Sequence, residues 1–306
     1  MVGPEKVYIS AGTTVLAVDA TTGEQRWAHD VAETFSLHYV AERLYELREA
    51  RVRASTPDGT LQWETRLPTR PQSLHEQNGY VYVGRSDGYS ILHTDTGTVV
   101  HDGGKDIQWI ASRDGKLFGS GYTEVGRYGY SPRGLTNRWR KDPAGPYDMH
   151  AFPVLGEELL YVPERAIAGT SVPDGRVTRF RLDGSQTGDM TFSHVPSGIA
   201  VSSNHLFVST TTITAGNLGQ EGELVALDHQ GARQWYVNPG GGITTPVVAD
   251  GTVVVGPFAD SPAPVTAFDA DSGTKHWEYD VRGGVELAVV GQTVYVGDDT
   301  HLMALQ

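Results

Sequence analysis

Asp298 and Asp299 stand side by side between Val296-Gly297 and Thr300-His301. Two adjacent carboxylates are groups that can hold a hard cation such as calcium or take up a proton as a base. Their setting reads instead as a solvated turn between two strands. The 11 histidines show neither His-Glu-x-x-His nor any comparable metal spacing. Gly240-Gly241-Gly242 follow Pro239 with no helix pattern behind them, so they are not a phosphate loop but a crossing that needs free dihedrals. No Gly-x-Ser-x-Gly elbow or paired-carboxylate signature stands out. With no cysteine, disulfides and thiolate metal sites are excluded and the redox compartment is left open.

The elements that would position any site are set by a repeat. Ala17-Val18-Asp19-Ala20-Thr21-Thr22-Gly23-Glu24-Gln25-Arg26-Trp27 recurs as Ala267-Phe268-Asp269-Ala270-Asp271-Ser272-Gly273-Thr274-Lys275-His276-Trp277. Locally this is a β-hairpin. Apolar Val15 to Asp19 forms one strand, Thr21-Thr22-Gly23 the turn, and Glu24 to Val31 the return. Gly23 and Gly273 suit the positive-φ position of a short loop. Asp19 and Asp269 can accept the turn's own N–H groups. One hairpin cannot bury a Trp ring, so a neighbouring unit must cover it. Gly59 to Trp63 and Gly231 to Trp235 keep the four-residue step. Gly134 to Trp139 takes five, and Asp95-Thr96-Gly97 and Asp183-Gly184 have lost the Trp.

A second signal is a Val-Tyr-Val-Gly-like strand centred on Tyr8, Tyr45, Tyr82, Phe118, Tyr161, Phe207, Val254 and Tyr295. The centres are 37, 37, 36, 43, 46, 47 and 41 residues apart. A period near 40 predicts a β-propeller of four-stranded antiparallel blades. Eight blades are expected, with seven as the alternative. With strands lettered A to D outward, residues 7–31 supply B to D of the first blade and 284–306 supply A to C of the last. Six fuller blades cover 35–67, 71–104, 107–142, 149–192, 197–238 and 243–281. No linker or composition break divides the chain, which reads as a single domain over 1–306. His38, His75, His150 and His194 fall on A strands or their entry loops, as scattered hydrogen-bonded or exposed side chains.

The formal net charge of −13 argues against a nucleic-acid groove. Arg supplies 19 of the 24 basic residues, a compositional hint of a high-GC or salt-adapted source. No apolar run reaches the roughly 18 residues that span a membrane. The opening Met1-Val2-Gly3-Pro4-Glu5-Lys6 does not read as a signal peptide. A monomeric propeller is expected.

The Ala-x-Asp-x-x-Thr-Gly-x-x-x-Trp pattern of residues 17–27 resembles the tryptophan-docking motif of quinoprotein-like propellers, the pyrroloquinoline-quinone-type repeats. The resemblance is sharpest at residues 17–27 and 267–277, extends to Trp63 and Trp235, and is weakest in blades three to five. It implies that Trp27, Trp63, Trp139, Trp235 and Trp277 stack between blades; Trp109 falls on an A strand instead. The family includes quinone-dependent dehydrogenases and non-enzymatic members, among them the lipoprotein propeller of the outer-membrane barrel-assembly machine, so the motif fixes architecture and leaves function open. The dehydrogenases carry a vicinal cysteine pair and a calcium site, and this chain has no cysteine. The expectation is a non-catalytic binding or assembly scaffold without a cofactor. A quinone-binding oxidoreductase with calcium is the alternative. By resemblance, an extracytoplasmic or cell-envelope location is favoured.

Loop lengths suggest where binding lies. The A–B and C–D turns are short, while B–C and D–A connections are long in blades five to seven and leave one edge. A protein partner or small ligand is expected there, at Tyr147, His150, Arg165, His194 or Phe258.

Overall fold

The inner strands of this chain are near-continuous runs of β-branched and aromatic residues, which favours strands buried on both faces. In a computed structural model the chain is all-β, an eight-bladed propeller of antiparallel sheets. The structure describes residues 3, 5–11, 13–31, 34–142, 145–149, 151–214, 217–218, 221–258, 261, 263–281, 283–290, 293–297 and 302–305. The chain divides into two compact units, Met1–Lys141 and Asp142–Gln306.

The first unit holds four sheets. The first has three strands, β1 (Lys6–Ala11), β2 (Thr14–Asp19) and β3 (Gln25–Asp30). The second is β4 (Thr34–Val40), β5 (Arg43–Arg48), β6 (Arg51–Ser55) and β7 (Leu61–Arg66). The third is β8 (Pro71–Gln77), β9 (Tyr80–Arg85), β10 (Gly88–His93) and β11 (Val99–Gly103). The fourth is β12 (Trp109–Arg113), β13 (Lys116–Ser120), β14 (Val125–Ser131) and β15 (Gly134–Lys141).

In the second unit, blade five has a divided A strand, β16 (Tyr147–Met149) and β17 (Val154–Leu155). Both pair with β18 (Leu159–Ala166), followed by β19 (Gly175–Arg181) and β20 (Gln186–Phe192). Pro153, which has no N–H to give a ladder, lies in the gap. Blade six is β21 (Val195–Val201), β22 (His205–Thr211), β25 (Leu224–Asp228) and β26 (Arg233–Val237). Its long B–C loop carries a two-stranded ribbon, β23 (Ile213–Thr214) and β24 (Asn217–Leu218). Blade seven is β27 (Val247–Ala249), β28 (Thr252–Val255), β29 (Val265–Asp269) and β30 (Lys275–Tyr279). Blade eight shows three strands among the described residues, β31 (Glu286–Val290), β32 (Thr293–Gly297) and β33 (Leu302–Leu305).

The core lies in the seams between successive sheets. Tyr45, Leu47 and Ala54 of the second blade close on Leu74, Val81 and Val83 of the third. In the second unit, Phe207 and Ala226 close on Val253, Val255 and Phe268. Each fully buried side chain of this size contributes about 1.5–3 kcal/mol. The seven tight-strand centres that are aromatic or apolar in blades one to seven, and Tyr295 in the last, all lie in this layer. The outermost strands alternate between exposed and part-buried residues, as a sheet's solvent edge requires.

Candidate functional site

The C–D turns are built as their sequence implies. Asp19 Oδ1 accepts the Thr21 and Thr22 N–H groups, both at 2.9 Å, and Gly23 adopts φ +70°. Arg26 adds an ion pair to Asp19 at 2.8 Å. That guanidinium, with the two N–H groups, holds the Asp19 carboxyl well below the usual carboxylate range. Ser272 gives Asp269 both its hydroxyl, at 2.7 Å, and its N–H, at 2.8 Å, and lowers it likewise.

After each turn the D strand bulges by one residue, which turns the Trp towards the next blade. Ala17 pairs with Trp27, Ala54 with Trp63, Ala226 with Trp235 and Ala267 with Trp277, and the register shifts immediately beyond each pair. Trp27 Nε1 donates to Pro57 O at 3.0 Å, Trp63 to Thr94 O at 2.7 Å, and Trp235 to Ala270 O at 3.0 Å. The receiving turn offers a glycine to the ring. A Cβ at Gly59 would lie 2.9 Å from Trp27, one at Gly97 2.5 Å from Trp63, and one at Gly273 2.7 Å from Trp235. Gly therefore serves twice, for the positive φ and for the close approach. Trp63 is buried, but Trp27 and Trp277 are only half-buried, against the expectation of full burial. They ride on the outer strand, where one ring face meets the neighbour. Trp139 pairs with Arg127 and lies 6.2 Å from the Phe118 ring, and Trp109 opens the A strand β12.

Two substitutes escaped the sequence reading. His101 holds the Trp position of blade three, opposite Ile91, and a Cβ at Gly134 would lie 2.9 Å from its Nε2. In blade five the position falls to Gly188, opposite Arg179. The four-residue step from Gly97 to His101 and from Gly184 to Gly188 was the available signal.

The long loops of blades five to seven meet along one edge of the second unit. Asp148 pairs with Arg165, and Arg165 with Gly175. Gly175 has no room for a Cβ, which would strike the His194 carbonyl and the Pro196 ring. Val195 and Pro196 pair with Thr211 and Thr210 at the end of β22. Gly222 sits against Thr210 O and Gly241 O, and Phe258 N–H donates to Gly242 O at 2.9 Å.

The five candidate side chains differ along this edge. Arg165 and Phe258 are exposed, Phe258 at 42%, and Ile167, two residues beyond Arg165, is exposed at 43%. His194 is part-buried, and its Nδ1 has no hydrogen-bond partner among the described residues. Tyr147 does not present itself to a partner: it is buried, donates to Pro173 O at 3.2 Å, and lies 4.0 Å beneath the Arg176 guanidinium. Arg176 in turn pairs with buried Glu164, which also accepts from Thr178 at 3.0 Å. Burial pushes the Glu164 carboxyl up, against the pull of Arg176. Tyr147 thus caps a buried ion pair beneath the rim. His150, Asp298 and Asp299 lie outside the described residues.

His38 and His75 occupy equivalent places on β4 and β8, opposite Tyr45 and Tyr82. Each meets a serine hydroxyl, Ser36 at 3.1 Å and Ser112 at 2.6 Å. Burial pushes His38 down to about 4 and lowers His75 as well. Among the described residues no three His, Cys, Asp or Glu side chains are grouped to hold a metal ion.

The family model described as "Outer membrane protein assembly factor BamB" matches residues 173–306. No curated protein matches the chain. Among solved structures, the chain is similar to the computationally designed Ika8 protein at 12% identity, covering 99% of this chain and 94% of that one, with a TM-score of 0.76. It is similar to BamB from Moraxella catarrhalis at 13% identity, with 99% and 91% covered and a TM-score of 0.74. A europium-containing methanol dehydrogenase aligns at 13% identity, with 96% and 81% covered and a TM-score of 0.65. At these identities the structural likeness is one of fold. Together with the family match over residues 173–306 and the Ala–Asp–Gly–Trp turns, it supports a likeness to the PQQ-like β-propeller family.

Proposed function

We propose that this propeller is a non-catalytic scaffold that binds a protein partner along the loop edge of blades five to seven. The observation that carries the reading is the continuous edge from Arg165 through His194 and Gly241 to Phe258, with Arg165, Ile167 and Phe258 exposed. An arginine beside exposed apolar side chains is the composition that protein interfaces favour. Closure entropy alone tolerates long loops, so drift is the competing account. Drift lengthens turns on both edges, whereas here the A–B and C–D turns stay short. The family description, an outer membrane protein assembly factor, supports an assembly role and a cell-envelope location for this chain as part of the same proposal. No helix among the described residues is long and apolar enough to cross a membrane.

The likeness to a methanol dehydrogenase raises a second reading, a quinone-dependent oxidoreductase. The described residues do not fit a calcium-held quinone: they group no metal ligands, and the chain has no cysteine pair to lie over the ring. The proposal therefore includes no quinone.

A photo-reactive side chain placed at Arg165 or Phe258 should give one discrete protein adduct in cell extract, and the same probe at Asp183 or Asp271, on the short-turn edge, should give none. Equal adducts from both edges, or adducts from the short-turn edge alone, overturn the reading.

A further inference from the structure

Blade five buries a cation without a counter-ion. Arg179 on β19 is 8% exposed. Its Nη1 donates to His229 O at 2.6 Å, its Nε is buried with no hydrogen-bond partner, and no carboxylate pairs with it among the described residues. The other buried arginines among the described residues, Arg48, Arg85 and Arg176, stand beside the carboxylates of Glu46, Asp87 and Glu164 in turn. A guanidinium taken out of water costs free energy until an anion meets it. This one stands at an open groove. A Cβ on Gly188 would lie 2.6 Å from its Nη2, and one on Gly231 3.4 Å from its Cζ. Gly231, and Asp189 next to Gly188, line a groove of about 420 Å³ between β20 and β25. Gly188 holds the place that Trp27, Trp63, Trp235 and Trp277 take in their own blades, so the seam lacks a ring there. Met190, Val225 and Leu227 make a buried apolar floor. The two ends differ in charge. Arg233 pairs with Leu227 at the turn end, where Arg179 lies, whereas Glu223 stands four residues along β25, about 13 Å away.

We propose that this seam binds a small aromatic carboxylate, its ring on the floor of Met190, Val225 and Leu227 and its carboxylate on Arg179. The planar guanidinium offers a carboxylate parallel N–H donors. An apolar groove with a few convergent polar groups is how small-ligand sites are built. The charges set the direction of the ligand: the carboxylate belongs at the turn end, and Glu223 repels it from the other. Asp189 also lines the groove, exposed, and makes no ion pair with Arg179. The site lies on the outer seam of blades five and six and stands apart from the loop-edge reading, whose success or failure leaves it untouched.

Indole-3-acetate serves as the probe against the full chain, with indole and tryptamine as its neutral and cationic counterparts. Calorimetry should show saturable binding of indole-3-acetate, with indole at least tenfold weaker and tryptamine weaker still. Backbone hydrogen exchange at residues 188–192 and 231–233 should slow on addition of indole-3-acetate. Arg179→Gln should abolish the preference for the carboxylate, while Arg181→Gln, at an exposed arginine two residues on, should keep it. The three compounds are compared on the unaltered chain, so the comparison decides the matter even where Arg179→Gln fails to fold. Absence of binding, equal binding of indole and indole-3-acetate, tighter binding of tryptamine, or protection elsewhere in the chain overturns the proposal. So does a carboxylate preference that survives in folded Arg179→Gln.

Discussion

Arg179 on β19 faces Gly188 on β20 in the register that Ala17 and Trp27 hold in the first blade. The small and large partners have changed strands. Arg179 Nη1 donates to His229 O at 2.6 Å, the carbonyl that follows the turn aspartate Asp228, just as Trp235 Nε1 donates to Ala270 O after Asp269. One charged planar group replaces the indole and makes its hydrogen bond from the opposite strand. Without a ring on the outer strand, an open groove of about 420 Å³ remains there, lined by Asp189, Met190, Glu223, Gly231 and Arg233.

This exchange makes the two residues energetically coupled. A Cβ at Gly188 would lie 2.6 Å from Arg179 Nη2, so Gly188→Ala should destabilise the protein by about 1–3 kcal/mol. Arg179→Ala loses the bond to His229 and should cost a similar amount, roughly 1–3 kcal/mol. In the double variant the crowding is gone. Urea unfolding should therefore show a cost smaller than the sum by at least about 0.5 kcal/mol. Strict additivity would show that the two side chains do not share the seam.

The tryptophans should rank by burial. Trp63→Ala should cost about 3–5 kcal/mol, the range for deleting a buried aromatic. Trp27→Ala and Trp277→Ala should cost clearly less, because both rings are half-exposed. Gly97→Ala should also destabilise, since the new Cβ meets Trp63 and the backbone sits at φ +66°. Melting temperatures of the four variants test the order, and an unchanged Trp63→Ala would contradict the docking geometry.

His38 should shape the acid limb of stability. The unfolded chain protonates this imidazole near about 6.5, whereas the folded one does so only near 4. Between those values the unfolded state binds more protons, so stability falls as pH falls, by at most roughly 1.4 kcal/mol per pH unit. Above the unfolded value the group contributes no slope. His38→Gln should flatten the melting-temperature profile between about pH 4 and 6.5, and an unaltered slope would show that another group governs it.

Glu164 gives the opposite sign. Its folded carboxyl is raised by burial, so the folded state binds more protons and stability falls as pH rises through its titration. Arg176→Ala should make this worse, costing about 3–5 kcal/mol at neutral pH by leaving a buried carboxylate uncompensated. The loss should shrink as the solution is acidified and Glu164 protonates. A pH-independent loss would assign the defect to the packing of Arg176 on Tyr147.

Blade number, strand order and turn chemistry were legible because each rests on local signals: a strand near every 40 residues, an Asp and a Gly in most C–D turns, and in four of them a Trp four residues on. What the sequence hid was compensation across strands. Nothing local marks Arg179 as a replacement for a Trp that belongs on β20, because the pairing only exists once the bulge sets the register. Tyr147 was misjudged for a related reason: a tyrosine in a long loop reads as a contact residue until Arg176 is found stacked on it.

The most direct test of the scaffold reading is the affinity of the partner captured at Arg165 or Phe258, measured by calorimetry with two variants of equal melting temperature. Arg165→Glu combined with Phe258→Ser should weaken binding at least tenfold, and Asp183→Lys combined with Asp271→Lys should leave it unchanged. Full affinity in the first variant, or loss only in the second, would contradict the assignment of function to the loop edge of blades five to seven.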